Sequence, residues 1–197
     1  MKKGKYTLEI MQDSDPLSPR EWDNLGTFIM QHGRYSFGDI DFETDPYSNK
    51  SFYDDFKYHL KEVEDCTIKD VIYLPVYMYD HSGITIKAGE SFSCSWDSGQ
   101  IGYIYITKKQ VYKEYGWKRI TKEREKQIEE YLVNEIKVLD DYLNGNVFGF
   151  NLTNDETDED VESCWGFYGD TYAEDILPYV EQYGFTLEDV ENTEIEY

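Results

Sequence analysis

Asp80 and His81 stand side by side after an apolar run, and Cys94 and Asp97 follow within one short element. An imidazole within hydrogen-bond reach of a thiol can take its proton and leave a thiolate nucleophile, with Asp80 or Asp97 orienting the ring. If the two segments pair, His81, Cys94 and Asp97 are the strongest catalytic candidates in the chain. Spacing alone favours a simpler alternative, a buried thiol beside a turn in which Asp80 and His81 satisfy backbone groups. The other histidines, His32 and His59, lie at no i, i+3 or i, i+4 spacing from another histidine. No metal site and no cofactor is therefore expected. The run Asp155-Glu156-Thr157-Asp158-Glu159-Asp160 lacks the alternating ligands, central glycine and terminal glutamate of a calcium loop and reads as a solvated turn. Gly99 and Gly102 supply neither GxGxxG nor a following Lys-Ser/Thr, so they read as turn glycines and not as a phosphate cradle.

Charge carries more information than any of these clusters. The 197 residues contain 41 Asp or Glu against 19 Lys or Arg, a formal net charge of −22. A 40% hydrophobic and 17% aromatic content argues for a folded chain despite that charge. Residues 76–137 are nearly balanced, with Lys108, Lys109, Lys113, Lys118, Arg119, Lys122, Arg124 and Lys126 crowded together, whereas residues 138–197 hold 17 acidic side chains and no Lys or Arg. Sixty residues without a cation are hard to explain as ordinary solubilising surface, which stays as the alternative reading; the acidic surface of a protein from a salt-tolerant host fits the Lys-rich middle and the many large aromatics poorly. The field of such a surface repels polyanions, so direct binding to nucleic acid or an anionic membrane is not expected, and a basic protein is the expected partner. The carboxylates nominated for that contact are Asp155, Glu156, Asp158, Glu159, Asp160, Glu174, Asp175, Glu188 and Asp189. The Lys108 to Lys126 segment is read as neutralising its surroundings or as a solvated face, with a local nucleic-acid contact as the alternative.

No apolar run approaches the roughly 20 residues that span a bilayer, and the start Met1-Lys2-Lys3-Gly4-Lys5 leads into a polar strand, so a cytoplasmic location is expected. Cys66, Cys94 and Cys164 are odd in number, widely spaced and expected to be buried reduced thiols.

The elements that would position these residues can be read from periodicity. Lys5–Met11 alternates as a strand, and Ser18-Pro19-Arg20-Glu21 reads as a capping box opening a short helix through Trp22, Leu25 and Ile29. A loop over 38–48 precedes a helix over 49–64 with Phe52, Phe56, Leu60 and Val63 on one face. Val71–Tyr79 reads as a strand that Pro75 places at an edge or a bulge, turned at Ser82-Gly83, and Ile101–Thr107 as another. Thr107 with Gln110 caps a helix ending at Gly116, and Thr121 caps a long one with Ile128, Leu132, Ile136, Leu139 and Leu143 as its apolar stripe. Val147–Thr153 and Val161–Tyr168 form strands joined by the acidic turn, and Asp170 caps a last helix through Tyr183. The sum is an α+β fold, a mainly antiparallel sheet with four to five helices packed on it. A single domain over 1–184 and an acidic tail over 185–197 are expected.

Several segments occur in order: Trp22-Asp-Asn-Leu-Gly-Thr27, Leu74-Pro-Val-Tyr-Met-Tyr-Asp-His-Ser-Gly83, Trp96-Asp-Ser-Gly-Gln-Ile-Gly-Tyr103, Glu114-Tyr-Gly-Trp-Lys-Arg119 and Cys164-Trp-Gly-Phe-Tyr-Gly169. With these the chain resembles a family of uncharacterised proteins of phages, prophages and other mobile elements. The resemblance implies no reaction. It implies a context in which small accessory proteins act against host defences. Joined to the charge, it gives the leading expectation: an anti-defence protein that inhibits a restriction or CRISPR nuclease by presenting carboxylates where that enzyme expects DNA phosphates. The alternatives are a small enzyme using His81 and Cys94, and an acidic adaptor of the mobile element.

Overall fold

Tyr6-Thr-Leu-Glu-Ile-Met-Gln12 places Leu8 and Ile10 on one side of an extended chain and Thr7, Glu9 and Met11 on the other, and only the first pair is wholly buried. A computed structural model of the protein describes residues 1–42, 51–94 and 96–196. In chain order its elements are β1 (Lys2–Lys3), β2 (Tyr6–Gln12), β3 (Thr27–Met30), β4 (Ile40–Asp41), α1 (Phe52–Glu62), β5 (Val71–Asp80), β6 (Ile84–Ala88), β7 (Ser98–Thr107), α2 (Lys108–Tyr115), α3 (Lys122–Leu143), β8 (Val147–Asn154), β9 (Glu159–Tyr168), α4 (Tyr172–Val180), α5 (Leu187–Glu191) and β10 (Ile195–Glu196). The fold is α+β with antiparallel-dominated sheets. The chain divides into two compact units, Met1–Ser18 with Asp141–Tyr197, and Pro19–Asp140, where the sequence reading has one domain.

The first unit is built on a sheet of order β1-β2-β8-β9, with β10 pairing in parallel beside β2. Leu8, Ile10, Phe148, Phe150, Leu152 and Phe167 pack against Ala173, Ile176 and Val180 of α4. Residues after 184 are part of this core and not a tail. Phe185 and Val190 are buried, Thr186 and Asp189 form a capping box that starts α5, and Ile195 pairs with Ile10. Their charge conceals an i, i+5 apolar pair and a cap, each of which opposes disorder.

The second unit is a sheet of order β4-β3-β7-β5-β6. Tyr103 and Tyr105 of β7 join Ile29 and Val71 under Phe56 and Leu60 of α1. Ile104, on the other face, lies beside Leu132 of α3: a Cβ at Gly26 would meet both side chains within 3 Å. Burial on both faces explains why β7 is apolar without interruption from Ile101 to Ile106. Pro75 accepts a hydrogen bond from the Gly89 amide, and β6 pairs with β5 only from Val76 onward, so its missing N–H lies where the ladder has ended. The register of β5 on β7 shifts immediately after it, between Val76 and Tyr77.

The expected helix through Trp22, Leu25 and Ile29 is not formed. Pro19–Glu21 is one 3-10 turn, and Thr27–Met30 is β3, paired with Tyr105 to Gly102 of β7. Three apolar residues at helical spacing are outweighed by a β-branched and aromatic run that completes a sheet. The turn is fixed by Arg20. Its guanidinium holds Asp39 through Nε at 2.9 Å and Nη2 at 2.5 Å, Glu135 through Nη1 at 3.0 Å and the Gly26 carbonyl at 2.8 Å. Glu135 in turn accepts from the Leu25 and Gly26 amides, and Asp39 from the Phe28 amide. Burial works against charge on Arg20, but hydrogen bonds and attraction from Asp39 and Glu135 outweigh it and raise its pKa.

The helix expected over 49–64 begins with the Ser51 capping box and covers 52–62, while the loop reading over 43–48 lies outside the described residues. Gly102 is needed for close approach, since a Cβ there would sit 2.3 Å from the Ile29 carbonyl oxygen of β3. Gly102→Ala is expected to cost about 1–3 kcal/mol of stability, read from urea unfolding, because backbone and not a flexible side chain must move.

Candidate functional site

The β5–β6 hairpin and the start of β7 do bring the catalytic candidates together, in an order that does not suit nucleophilic catalysis. Ser82 turns the hairpin with φ 61°, His81 donates its amide to the Gly83 carbonyl, and the Asp80 amide bonds the Asp97 carbonyl at 2.9 Å. Asp97 lies in the middle. Its Oδ2 is 3.6 Å from His81 Nδ1 and accepts from the Cys94 thiol at 3.8 Å. The thiol therefore meets a carboxylate and not the imidazole that would have to deprotonate it. Asp80, the other proposed orienter, is ion-paired with Arg34. The His81 side chain is 64% exposed, so its imidazole is open to water. Cys66, Cys94 and Cys164 are free and partly exposed, where the sequence reading has them buried. Among the described residues, no group of three His, Cys, Asp or Glu is gathered as a metal site.

The acidic residues are distributed by structural unit. The first unit holds 3 Lys against 19 Asp or Glu in 75 residues, a net of −16, and the second 16 Lys or Arg against 22, a net of −6. Within the first unit the nominated carboxylates fall into two sets. Asp155 pairs with Lys2 at 2.5 Å and accepts from the Thr7 hydroxyl at 2.7 Å, Glu156 lies 4.0 Å from Lys5, and Asp189 pairs with Lys3 while capping α5 through Thr186. The Lys3 ammonium, then the Thr186 hydroxyl and amide, hold the Asp189 carboxyl down to about 2. Lys2, with Thr7 behind it, lowers that of Asp155. These three fasten the N-terminal strand segment to the hairpin and α5. Asp175 accepts from the Thr171 hydroxyl at 3.2 Å at the start of α4.

The other set is exposed, and among the described residues no cation lies within ion-pair distance of it: Asp158, Glu159 and Asp160 on the β8–β9 hairpin, Glu174 on α4 and Glu188 on α5. Asp158 has φ 56°, a left-handed conformation that Asp and Asn tolerate in turns. Trp165 of the edge strand β9 is 46% exposed and stands over Gly149, where a Cβ would meet the indole at 2.2 Å.

The basic segment in the second unit is partly tied to its own fold. The Trp117 ring stacks on Tyr115 at 4.4 Å and lies under Arg124 at 4.6 Å, and Arg124 also donates to the Arg119 carbonyl. Lys126 pairs with Glu130 one turn on. Arg124 is thus occupied, which weakens the case for a nucleic-acid contact there.

One polar group escaped the sequence reading. His59 is 5% exposed and Tyr105 is wholly buried; His59 Nε2 lies 2.8 Å from the Tyr105 hydroxyl, which donates to Glu64 Oε1 at 2.8 Å. Since the hydroxyl has one proton and gives it to Glu64, Nε2 must carry the imidazole proton. Burial lowers the His59 pKa below 6.5, against the pull of Glu64, and burial followed by Glu64 raises that of Tyr105. The stability linked to a neutral His59 is full above pH 6.5 and is lost as pH falls toward its lowered native value, because only the unfolded state takes the proton over that window. His59→Gln is expected to flatten the urea midpoint against pH below 6.5. An unchanged slope would contradict the neutral assignment. The signal was present in the sequence, since His59 shares the face of Phe52 and Phe56 on α1.

No helix among the described residues is long and apolar enough to cross a membrane. Compared with known proteins, the chain matches no family model, no curated protein and no solved structure.

Proposed function

We propose that the protein is an acidic inhibitor that binds the cationic nucleic-acid groove of a host defence enzyme, a restriction or CRISPR nuclease, and keeps DNA from it. The reading rests on one observation above all: a net charge of −16 is carried by a 75-residue unit in which five nominated carboxylates are exposed and, among the described residues, lie near no cation. Arg side chains that clamp phosphates accept carboxylates in the same bidentate geometry, and a concentrated negative field speeds encounter with a basic groove. The motif resemblance to mobile-element proteins supplies the setting. The arrangement around Asp97, with thiol and imidazole on one carboxylate, favours inhibition by binding over catalysis.

The test is inhibition of DNA cleavage by a panel of purified type I and type II restriction enzymes and Cas effector nucleases, with the protein titrated against each. Inhibition of at least one enzyme at stoichiometric concentration, relieved by added duplex DNA and retained by His81→Ala and Cys94→Ser, is the expected result. Full loss of inhibition in a folded Cys94→Ser variant would replace the reading with an enzymatic one, and no inhibition of any member would remove it.

A further inference from the structure

In the second unit a cavity of about 850 Å³ opens between the α1–β5 connection and the start of α2. Its two sides are of opposite charge. Glu64, Asp65 and Asp70 come from the connection, and Lys108, Lys109 and Lys113 from α2. Cations in the first turn of a helix face its positive end and are disfavoured there, so Lys108 and Lys109 are placed against local helix stability. Among the described residues, only Lys108 is accounted for by a contact with the connection opposite. Lys108 donates to the Lys69 carbonyl at 2.7 Å. Asp70, lowered in pKa first by the Thr67 hydroxyl and amide, is lowered further by Lys108. Among the described residues, Lys109 and Lys113 have no such anchor in the connection, and Lys113 lies 3.9 Å from its neighbour Glu114.

On the acidic side the geometry is held from beneath. Asp65 is left-handed at φ 48°, and the Cys66 amide returns to the Leu60 carbonyl, so the chain folds back on α1. Glu64 is fixed by the buried Tyr105 hydroxyl, itself fixed by His59, through one carboxylate oxygen, which leaves the second without a partner among the described residues. A buried chain of two side chains that positions one carboxylate at a cavity is the kind of support that a binding site requires and a solvated surface does not.

We propose that this cavity binds a zwitterionic small molecule, a free amino acid or a short peptide with free termini, its ammonium meeting Glu64 and Asp70 and its carboxylate meeting Lys109 and Lys113. A simple anion is repelled by the three carboxylates and a simple amine by the three lysines. A ligand carrying both charges is attracted by both sides. The volume lies in the range of small-molecule sites and accommodates more than one residue. The Cys66 thiol lines the same cavity and reports on its occupancy.

The test is calorimetric titration of the full chain with each of the twenty free amino acids and with trialanine. N-acetylated and C-amidated trialanine and inorganic phosphate serve as controls, and Cys66 alkylation by iodoacetamide is followed by peptide mass spectrometry. Expected are saturable binding of at least one compound with free termini, a loss of about tenfold or more on blocking either terminus, and slower alkylation of Cys66 but not of Cys94 or Cys164. Glu64→Gln keeps an acceptor for Tyr105 while removing the charge, and Lys109→Gln with Lys113→Gln changes only exposed ends. Each is expected to weaken binding by a similar factor with an unchanged melting temperature. No binding by any free compound up to about 10 mM, equal binding of the blocked peptides or of phosphate, or full binding by both variants would overturn the proposal.

Discussion

Replacing Asp158, Glu159, Asp160, Glu174 and Glu188 together, Asp by Asn and Glu by Gln, is expected to weaken binding to the inhibited nuclease by about 10- to 100-fold at physiological salt. The loss should fall mainly on the association rate and shrink as salt rises, because charges this exposed act over a Debye length of about 8 Å. Asn at 158 preserves the left-handed turn that Asp158 occupies at φ 56°. Neutralising Asp155, Glu156 and Asp189 is expected to do something different. Their partners are Lys2, Lys5 and Lys3 of the same chain, so removing the carboxylates frees three cations and loosens the N-terminal segment. Surface plasmon resonance with both variants separates the two sets. Equal losses of affinity with unchanged melting temperatures would contradict the division.

Arg20→Met is expected to cost about 3–5 kcal/mol, because it leaves Asp39 and Glu135 facing one another with no cation between them. The Arg20 side chain is 7% exposed and that of Glu135 14%, so water cannot replace the lost partner freely. Thermal unfolding should fall by about 6–20 °C for a domain of this size. Glu135→Gln keeps an acceptor for the Leu25 and Gly26 amides and should cost less. The double variant should cost less than the sum of its parts, since each removal exposes the same unpaired group. Strict additivity in urea unfolding would mean that the three residues do not act as one network.

Local signals were legible wherever the residues that decide an element sit inside it. Thr107 with Gln110 and Gly116 bound α2 as read, and Ile128, Leu132, Ile136 and Leu139 form the buried stripe of α3. The β8–β9 hairpin is formed as read, except that Glu159 and Asp160 of the expected turn open β9. The failures share one cause, dependence on distant residues. Trp22, Leu25 and Ile29 have helical spacing, but Thr27–Met30 pairs with β7 more than 70 positions away, and Arg20 fixes the preceding turn through Glu135. Residues 185–196 read as a charged tail because their partners, Ile10 and Lys3, are at the other end of the chain. The site was legible in the same degree. Composition located the acidic surface, and only tertiary structure separates Asp158, Glu159 and Asp160 from Asp155, which is held by Lys2. His81, Cys94 and Asp97 lie close together in sequence, yet which of them stands in the middle is a matter of side-chain placement.

The most direct measurement of the inhibitor reading is competition for one groove. A labelled duplex is bound to the nuclease inhibited in the cleavage panel, and its fluorescence anisotropy is followed as the acidic protein is added across a salt series. The account requires full displacement of the duplex at stoichiometric protein, an apparent affinity that falls as salt rises, and no anisotropy change when protein meets duplex without the nuclease, since polyanion and a chain of net charge −22 repel. A ternary complex of duplex, nuclease and protein would contradict a shared groove. So would direct duplex binding abolished by neutralising Lys118, Arg119, Lys122 and Arg124.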